Sequence, residues 1–153
     1  MPDAIALLKA DHKKVKALFK EADELGERAF AARAKIYAQI ERELKLHTKV
    51  EETIFYPAVK QKSRAGSDER DAVLEAYEEH AAAKGVMQSL AQTDPKDETY
   101  KAKITVLSEL IDHHVKEEEG HFFPEARKLL GADRVAELGD EIATAKEEEG
   151  APA

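Results

Sequence analysis

The sequence predicts an all-α protein, an up-down-up-down four-helix bundle with a short fifth helix at its C-terminal end. Three observations predict this fold. The 153 residues contain only seven glycines and five prolines, and the residues between them are mostly strong helix formers. No segment shows the sustained alternation of a half-buried strand. The connections between the predicted helices are short, and short connections make consecutive helices antiparallel.

Capping and breaking residues place the first two predicted helices. Asp3 is a suitable N-cap for a first helix that ends near residues 25–26, where a glycine often follows a helix. A second helix is predicted from residue 27 or 29 to residue 62, and Pro57 perturbs it because proline removes a backbone hydrogen bond. Residues 63–68 then form a polar loop.

The same signals place the third and fourth helices. The third is predicted over about 69–92. Asp94 followed by Pro95 predicts the N-cap and the first residue of the fourth. That helix runs to about residue 130 with a perturbation at Pro124, and Gly131 ends it.

A short helix and a tail are expected after the bundle. Asp133 is expected to cap a fifth helix over about 133–148, and residues 150–153 are expected to fray. The length predicts a single domain over residues 1–153, with the bundle at about 3–130.

Charge and composition narrow the classes of function. With 24 Lys and Arg against 32 Asp and Glu, the net charge of −8 argues against nucleic acid or an anionic membrane as a partner. The absence of cysteine excludes disulfides, iron–sulfur clusters and a thiol nucleophile, so any metal site must use histidine and carboxylate. No signal peptide or membrane-spanning stretch is evident, which predicts a soluble cytoplasmic protein. The sequence does not determine its oligomeric state.

Histidines interrupt the apolar faces of two helices. In the first helix, His12 is in the middle of a stripe whose other members are Ile5, Leu8, Val15 and Phe19. His80 has the corresponding place in the third helix. A histidine on the buried seam of a bundle needs a polar partner.

An internal repeat connects these histidines with two others. Residues 47–57 and 114–124 both read His-x-Lys-x-Glu-Glu-x-x-Phe-aromatic-Pro, an offset of 67 positions, and His12 and His80 are 68 positions apart. The chain is therefore predicted to contain two copies of one helical hairpin. Each copy has a histidine on its first helix and His-x-x-x-Glu on its second.

Helix geometry gives this repeat a chemical meaning. Residues four apart lie on one helix face, so His47 and Glu51 can share a metal ion, as can His114 and Glu118. Two hairpins related by an approximate twofold axis would bring four imidazoles and two carboxylates together at mid-bundle. Such ligands suit Fe, Mn or Zn, and a metal, or protons and waters, must compensate the buried charge.

The repeat, with its two added histidines, resembles the hemerythrin-like (HHE cation-binding) domains over about residues 3–130. The resemblance implies a non-haem centre of two Fe ions with an oxo or hydroxo bridge, with Mn or Zn as alternative metals. It implies that one iron is bound by the first pair of histidines and the other by the second pair, with both glutamates bridging. The implied ligands, in chain order, are His12, His47, Glu51, His80, His114 and Glu118.

The sequence departs from the oxygen-carrying members of this family. They have a further histidine four residues from the first one on the third helix, whereas the positions four away from His80 are Ala76 and Lys84. Of about twelve coordination positions on two octahedral ions, about two then stay open. With open positions, the centre is expected to bind, sense or react with O2, NO or peroxide. Simple oxygen carriage is less favoured. His121, Glu52 and Tyr77 are candidates for an additional ligand.

Several neighbouring residues have alternative interpretations. His113 is expected beside the site, although a shifted register would instead place His113, Glu117 and His121 on one face. Asp11 and Glu79 could accept the outer N–H of a ligand histidine, but solvated carboxylates are expected there, and Glu52 and Glu119 are expected to be solvated or to support the ligands. The phenylalanines of both repeats are expected to fill the core.

The function therefore stays open among a carrier, a sensor, an iron store and an enzyme that decomposes peroxide or acts as an oxidase, with oxidative or nitrosative stress as its setting. The alternative from another class is a helical interaction or iron-handling module with structural zinc or no metal.

Overall fold

The computed structural model describes residues 2–150, which form helices joined by short turns. The α-helices are α1 (Ala4–Asp23), α2 (Phe30–Val50), α3 (Tyr56–Lys62), α4 (Asp68–Ala91), α5 (Thr99–Glu117), α6 (Phe123–Leu130) and α7 (Ala132–Gly150). Two π-helical turns, π1 (Glu51–Phe55) and π2 (Glu118–Phe122), join α2 to α3 and α5 to α6 without a break. The predicted four-helix bundle with an extra C-terminal helix is confirmed.

The helix ends follow local hydrogen bonding. Asp3 caps α1 as predicted, since its side chain accepts a hydrogen bond from the Ala6 backbone N–H at 2.9 Å. Ser67 caps α4 in the same way through the Arg70 N–H. α1 ends at Asp23, slightly earlier than expected. Gly131 follows the last residue of α6 as predicted, and its φ of 84° is a backbone conformation that favours glycine.

The predicted start of α5 at Asp94 and Pro95 is wrong. Asp94 instead forms a turn in which its side chain accepts the Lys96 N–H and its carbonyl accepts the Asp97 N–H, both at 2.8 Å. The helix begins only at Thr99, whose N–H donates to the Asp97 side chain at 2.8 Å. Two Asx turns in succession therefore delay the helix by one turn.

The two predicted perturbations are the π-helical turns, which end just before Pro57 and Pro124. In π1 the Tyr56 N–H bonds to the carbonyl of Glu51, five residues earlier, and in π2 the Phe123 N–H bonds to that of Glu118. Each wide turn inserts one residue into the helix and leaves the proline in the first turn of the helix that follows. As a result Tyr56 and Phe123 are fully buried.

The apolar core lies in two parts on either side of the mid-bundle. One part is built around Tyr37, Ile40 and Leu107. The other is built around Phe55, Phe123 and the apolar face of α7, whose Val135, Leu138 and Ile142 are buried. The predicted bounds of the fifth helix, 133–148, are close to those of α7, but Asp133 lies inside the helix and is not its cap. Of the predicted frayed tail, residues 151–153 lie outside the described range.

α7 packs closely on the start of α1. A Cβ atom on Gly139 would lie 2.7 Å from the carbonyl oxygen of Pro2, so only glycine allows this approach. Across residues 2–150, every helix is too short or too polar to cross a membrane.

Candidate metal centre

The structure brings the six predicted ligand residues together in the middle of the bundle. All six are buried, and Glu51 is 0% exposed. Their side-chain atoms form two groups, within each of which all donor atoms lie within 4.8 Å of one another. One group is His12, His47, Glu51 and Glu118, and the other is Glu51, His80 and His114. The two first-hairpin histidines lie in one group and the two second-hairpin histidines in the other, and Glu51 is common to both groups.

The outer nitrogen of every one of these histidines faces a carboxylate. Each Nδ1 lies within hydrogen-bond distance of one carboxylate oxygen: His12 and Glu119 at 2.7 Å, His47 and Asp11 at 2.9 Å, His80 and Glu52 at 2.7 Å, and His114 and Glu79 at 2.7 Å. A carboxylate acceptor assigns the proton to Nδ1, which leaves the Nε2 lone pair directed to the centre.

These four outer carboxylates follow the symmetry of the repeat. Asp11 and Glu79, on the first helix of each hairpin, bind the second-helix histidine of their own hairpin. Glu52 and Glu119 bind the first-helix histidine of the other hairpin. The expectation that Asp11 and Glu79 are solvated is wrong, because antiparallel packing of the two helices directs each carboxylate at the neighbouring imidazole. Glu52 and Glu119 support histidines, as one of the two interpretations had it.

Several inner atoms of the first group are left without hydrogen bonds in the part of the chain that the structure describes. Nε2 of His47 is 3.0 Å from Oε1 of Glu51, and Nε2 of His12 is 3.2 Å from Oε1 of Glu118. None of these four atoms has a hydrogen-bond partner of acceptable geometry within residues 2–150. Imidazole lone pairs facing buried carboxylates repel unless a cation lies between them. The donor set, in composition and geometry, therefore fits bound metal ions.

In the metal-free protein, protons carry the compensating charge. Burial lowers the pKa of His47, but the Glu51 charge and the hydrogen bond with Asp11 outweigh burial and raise it to about 10. For His114, burial is outweighed by Glu118, and the pKa rises to about 12. Burial likewise raises the pKa of Glu51, but the neighbouring imidazoles hold it well below its usual value. The cluster thus keeps charged carboxylates beside imidazolium ions.

Tyr56 is a member of the centre that sequence reasoning missed. Its hydroxyl donates a hydrogen bond to Oε2 of Glu118 at 2.5 Å and lies 3.4 and 3.3 Å from Nε2 of His80 and His114. Burial and the charges of Glu51 and Glu118 raise its pKa well above the usual value, so the hydroxyl stays protonated. The signal was present in the repeat, because the position before proline is Tyr56 in one copy and Phe123 in the other.

The other candidates for an additional ligand lie away from the inner atoms. His121 is exposed. Tyr77 donates its hydroxyl to the backbone carbonyl of Glu52 at 3.3 Å, and the Glu52 carboxylate pairs with His80 and with Lys84. None of the three contributes to either group of donor atoms.

The shifted register is wrong. His113 is exposed and lies 3.7 Å from Glu79, and Glu117 is also exposed. The structure therefore directs His114, and not its neighbour, into the bundle, as alignment of the two prolines predicts.

A small cavity adjoins the centre. Its volume is about 20 Å³, and it is lined by all four buried histidines together with the apolar residues Val15, Leu44, Ile111 and Val115. This volume accommodates one molecule of about the size of water.

A family model describes residues 3–126, the Hemerythrin HHE cation binding domain. The chain belongs to this family. The resemblance drawn from the repeat is therefore confirmed, and cation binding by the buried His and Glu cluster is the property that the family and the geometry both indicate. α7 lies beyond the matched residues.

Two relatives of this HHE chain have been compared with it. A crystal structure of a hemerythrin HHE cation-binding-domain protein from Mycobacterium kansasii superposes with a TM-score of 0.82 over 97% of this chain and 88% of that one, at 21% identity, which establishes the fold. A protein named DNA nickase, from Nostoc sp. (strain PCC 7120 / SAG 25.82 / UTEX 2576), is 24% identical over 140 residues, 92% of this chain. The chain spans only 38% of the length of that relative.

Proposed function

We propose that the chain is a non-haem di-iron protein that binds, senses or reacts with a small ligand, namely O2, NO or peroxide. The observation that carries this proposal is a set of inner atoms without hydrogen bonds within residues 2–150: Nε2 of His47 faces Oε1 of Glu51, and Nε2 of His12 faces Oε1 of Glu118, at 3.0 and 3.2 Å. His12 and His47 would hold one ion and His80 and His114 the other, with Glu51, which belongs to both groups, between them. Glu118 belongs to the first group and would reach the second ion through Oε1, which is 3.3 Å from Nε2 of His114. When bound, two irons supply electron transfer to a diatomic or peroxide ligand.

The protein's own residues prepare this chemistry. The four outer carboxylates fix the orientation of the imidazole rings and raise their basicity. Tyr56 holds a proton at its hydroxyl oxygen beside His80 and His114 and donates it to Oε2 of Glu118. Rotation of this O–H away from the carboxylate would let it donate to a small ligand instead. The phenol also gives one of the two ends a hydrogen-bond donor that the other end lacks.

The cavity favours a small ligand. At about 20 Å³, and lined by the four histidines and several apolar side chains, it has room for one molecule of about the size of water and leaves no space for an organic substrate beside the inner atoms. A diatomic molecule or peroxide would enter with small movements of the apolar side chains. His12, Ile111 and Val115 line both this cavity and a wider surface groove, so movement of the two aliphatic side chains would open a route from solvent.

Metal analysis and absorption spectroscopy test the proposal. Freshly purified protein should contain iron at about two ions per chain. It should show near-ultraviolet and visible charge-transfer bands that change when peroxide or azide is added. His114→Ala should lose metal and these bands, whereas His121→Ala, at an exposed position, should retain both. A colourless protein that binds zinc, or no metal after anaerobic reconstitution with Fe(II), would favour the structural or iron-handling alternative.

The relative named DNA nickase makes DNA a partner to be tested. The prediction that nucleic acid is not a partner stays a prediction, supported by the net charge of −8. A supercoiled-plasmid nicking assay with iron-loaded and metal-free protein tests it directly. Nicking by the wild type that is lost in His114→Ala would contradict the prediction and assign the relative's activity to this centre.

A further inference from the structure

A large groove runs along the surface between α1 and α5 and is not needed to hold the metal ligands. Its volume is about 1090 Å³. The two helices are antiparallel, so the C-terminal end of α1 lies beside the N-terminal end of α5. The groove extends from Lys9 to Asp23 along α1, which corresponds to roughly 21 Å at about 1.5 Å per residue.

The groove has an apolar floor and a cationic rim. Phe19, Ile104, Ile111 and Val115 contribute the apolar side chains. Four exposed lysines of α1 follow one edge at helical spacing, and no carboxylate lies within ion-pair distance of them in residues 2–150. They are Lys9, Lys13, Lys16 and Lys20. Positive charge is concentrated here although the whole chain is acidic.

One end of the groove contains a buried arginine without a counter-ion. Arg33 is 3% exposed, and one guanidinium nitrogen donates to the carbonyl of Gly26 at 2.7 Å. Its Nε has no hydrogen-bond partner, and the ion pairs formed within residues 2–150 do not include it. Burying an uncompensated guanidinium is costly. Lys20 and Lys101 line the same end, where Asp23 is an exposed carboxylate.

We propose that this groove binds a long-chain fatty acid, with its carboxylate at Arg33 and its hydrocarbon chain along the apolar floor towards His12. A planar guanidinium binds a carboxylate through two hydrogen bonds, which would satisfy the free Nε. The hydrocarbon core of a bilayer is about 30 Å thick and is spanned by two acyl chains end to end, so one long acyl chain is about 15 Å long. The chain therefore fits the length of the groove, and the aliphatic stems of the α1 lysines would cover it.

This occupant is favoured over a polyanion by the shape of the site. A nucleic acid or an acidic peptide would need cations along both edges, but the α5 edge also carries Glu109 and Asp112, and Lys116 is already paired with Asp112 at 2.8 Å. A single anionic head group needs its counter-charge at one end, where Arg33, Lys20 and Lys101 lie, and the lysines further along α1 would contribute their aliphatic stems. The inference does not rest on the proposed metal centre, because the carboxylate would bind at Arg33, Lys20 and Lys101, and His12 only lines the far end of the groove.

Fluorescence titration of the full-length protein with cis-parinarate, a fluorescent polyunsaturated fatty acid, tests the proposal. One molecule should bind per chain, palmitate should displace it, and hexanoate and methyl parinarate should bind far more weakly. Arg33→Met should weaken binding by about tenfold or more, because a charge-assisted pair is lost. Arg64→Met, in an exposed loop, is the matched control and should bind as the wild type does.

Two further variants keep the test decisive if Arg33→Met does not fold. The double variant Lys20→Gln/Lys101→Gln changes exposed residues only and should weaken binding several-fold, and Thr105→Trp should obstruct the groove and abolish binding. Equal binding of the acid and its methyl ester, or wild-type affinity in all these variants, would overturn the proposal. Displacement of the probe by oligothymidylate or polyglutamate more efficiently than by palmitate would also overturn it and assign the groove to a polyanion.

Discussion

The two hairpins carry the same ligands but differ in what surrounds them. Tyr56 in the first hairpin tilts against His80 with ring centroids 5.5 Å apart, and Phe123 in the second stacks on His12 at 5.8 Å. These contacts are equivalent in the repeat, yet only Tyr56 brings a hydroxyl to the inner atoms. The difference shows that the repeat specifies which histidines and glutamates converge at the centre, while a single substitution makes the two ends of the centre chemically distinct.

The outer carboxylates of the two hairpins also differ in their exposure and in their charged partners. Asp11, which supports His47, is paired with Lys146 of α7 and is largely enclosed. Its counterpart Glu79, which supports His114, is more exposed, and His113 lies 3.7 Å from its other oxygen. α7 packs mainly on the first hairpin, so this helix, which lies beyond the family match, completes the surroundings of one end only.

The largest expected effect comes from removing the shared glutamate. Glu51 belongs to both groups of donor atoms and Glu118 to one. Glu51→Ala should therefore abolish stoichiometric metal binding, whereas Glu118→Ala should retain a single ion at the other end. Metal analysis after gel filtration measures both, with Glu117→Ala as an exposed control. Equal losses in the two alanine variants would show that the ends are not distinguished in this way.

Exchanging the two aromatic residues should have the next largest effect. Tyr56→Phe leaves Oε2 of Glu118 without its donor, and a hydrogen bond to a charged group contributes about 1.5–3 kcal/mol. The free energy of unfolding of the metal-free protein should fall by about that amount in chemical denaturation.

Phe123→Tyr is the reciprocal change and should not restore the stability of Tyr56→Phe, because its hydroxyl would be added beside His12 and not at the place of the Tyr56 hydroxyl. In metal-loaded protein only Tyr56→Phe should alter the spectrum with azide. A double variant as stable as the wild type would contradict the proposed asymmetry.

The pH dependence of stability should distinguish metal-free from metal-loaded protein. The raised pKa values of His47 and His114, about 10 and about 12, mean that the folded state holds protons that the unfolded state releases near pH 6.5. This stabilisation is complete below about pH 6.5 and is lost as the pH rises towards 10 and above. The lowered pKa of Glu51 acts at the acidic end, where stability falls as the pH drops below its ordinary value.

Thermal melts across this range should therefore show the metal-free protein losing stability from pH 6.5 upwards. Metal competes with these protons, so metal affinity should instead increase with pH. A flat profile for the metal-free wild type between pH 7 and 10 would show that the imidazoles are not held protonated.

The smallest expected effects come from two helical glycines. Gly139 of α7 lies against the carbonyl of Pro2, just before α1, whereas a Cβ on Gly85 of α4 would meet no atom within 4 Å. Gly139→Ala should destabilise the protein by about 1–3 kcal/mol because backbone must move. Gly85→Ala should stabilise it by about 0.5–1 kcal/mol through helix propensity. Calorimetric melts of both variants check the opposite signs, and a stabilised Gly139→Ala would show that α7 docks more loosely.

Much of the fold and of the inner donor set was predictable because it depends on local periodicity. Helical spacing places His47 above Glu51 and His114 above Glu118 on one face, and the repeat predicts that the two faces meet. The start of α5 was not predictable in this way, since the side chains of Asp94 and Asp97 can accept a nearby backbone N–H either in an Asx turn or as a helix cap.

The sequence by itself determined the bundle, the duplicated hairpin and the six residues that converge at its centre, because these follow from spacing along single helices. Only the tertiary structure decided the partners that cross between helices: the outer carboxylate of each histidine, the hydroxyl of Tyr56 at Glu118, and the unpaired guanidinium of Arg33 in the groove. Such contacts depend on how π-helical turns and antiparallel packing rotate each side chain, and spacing within one helix carries no information about that rotation.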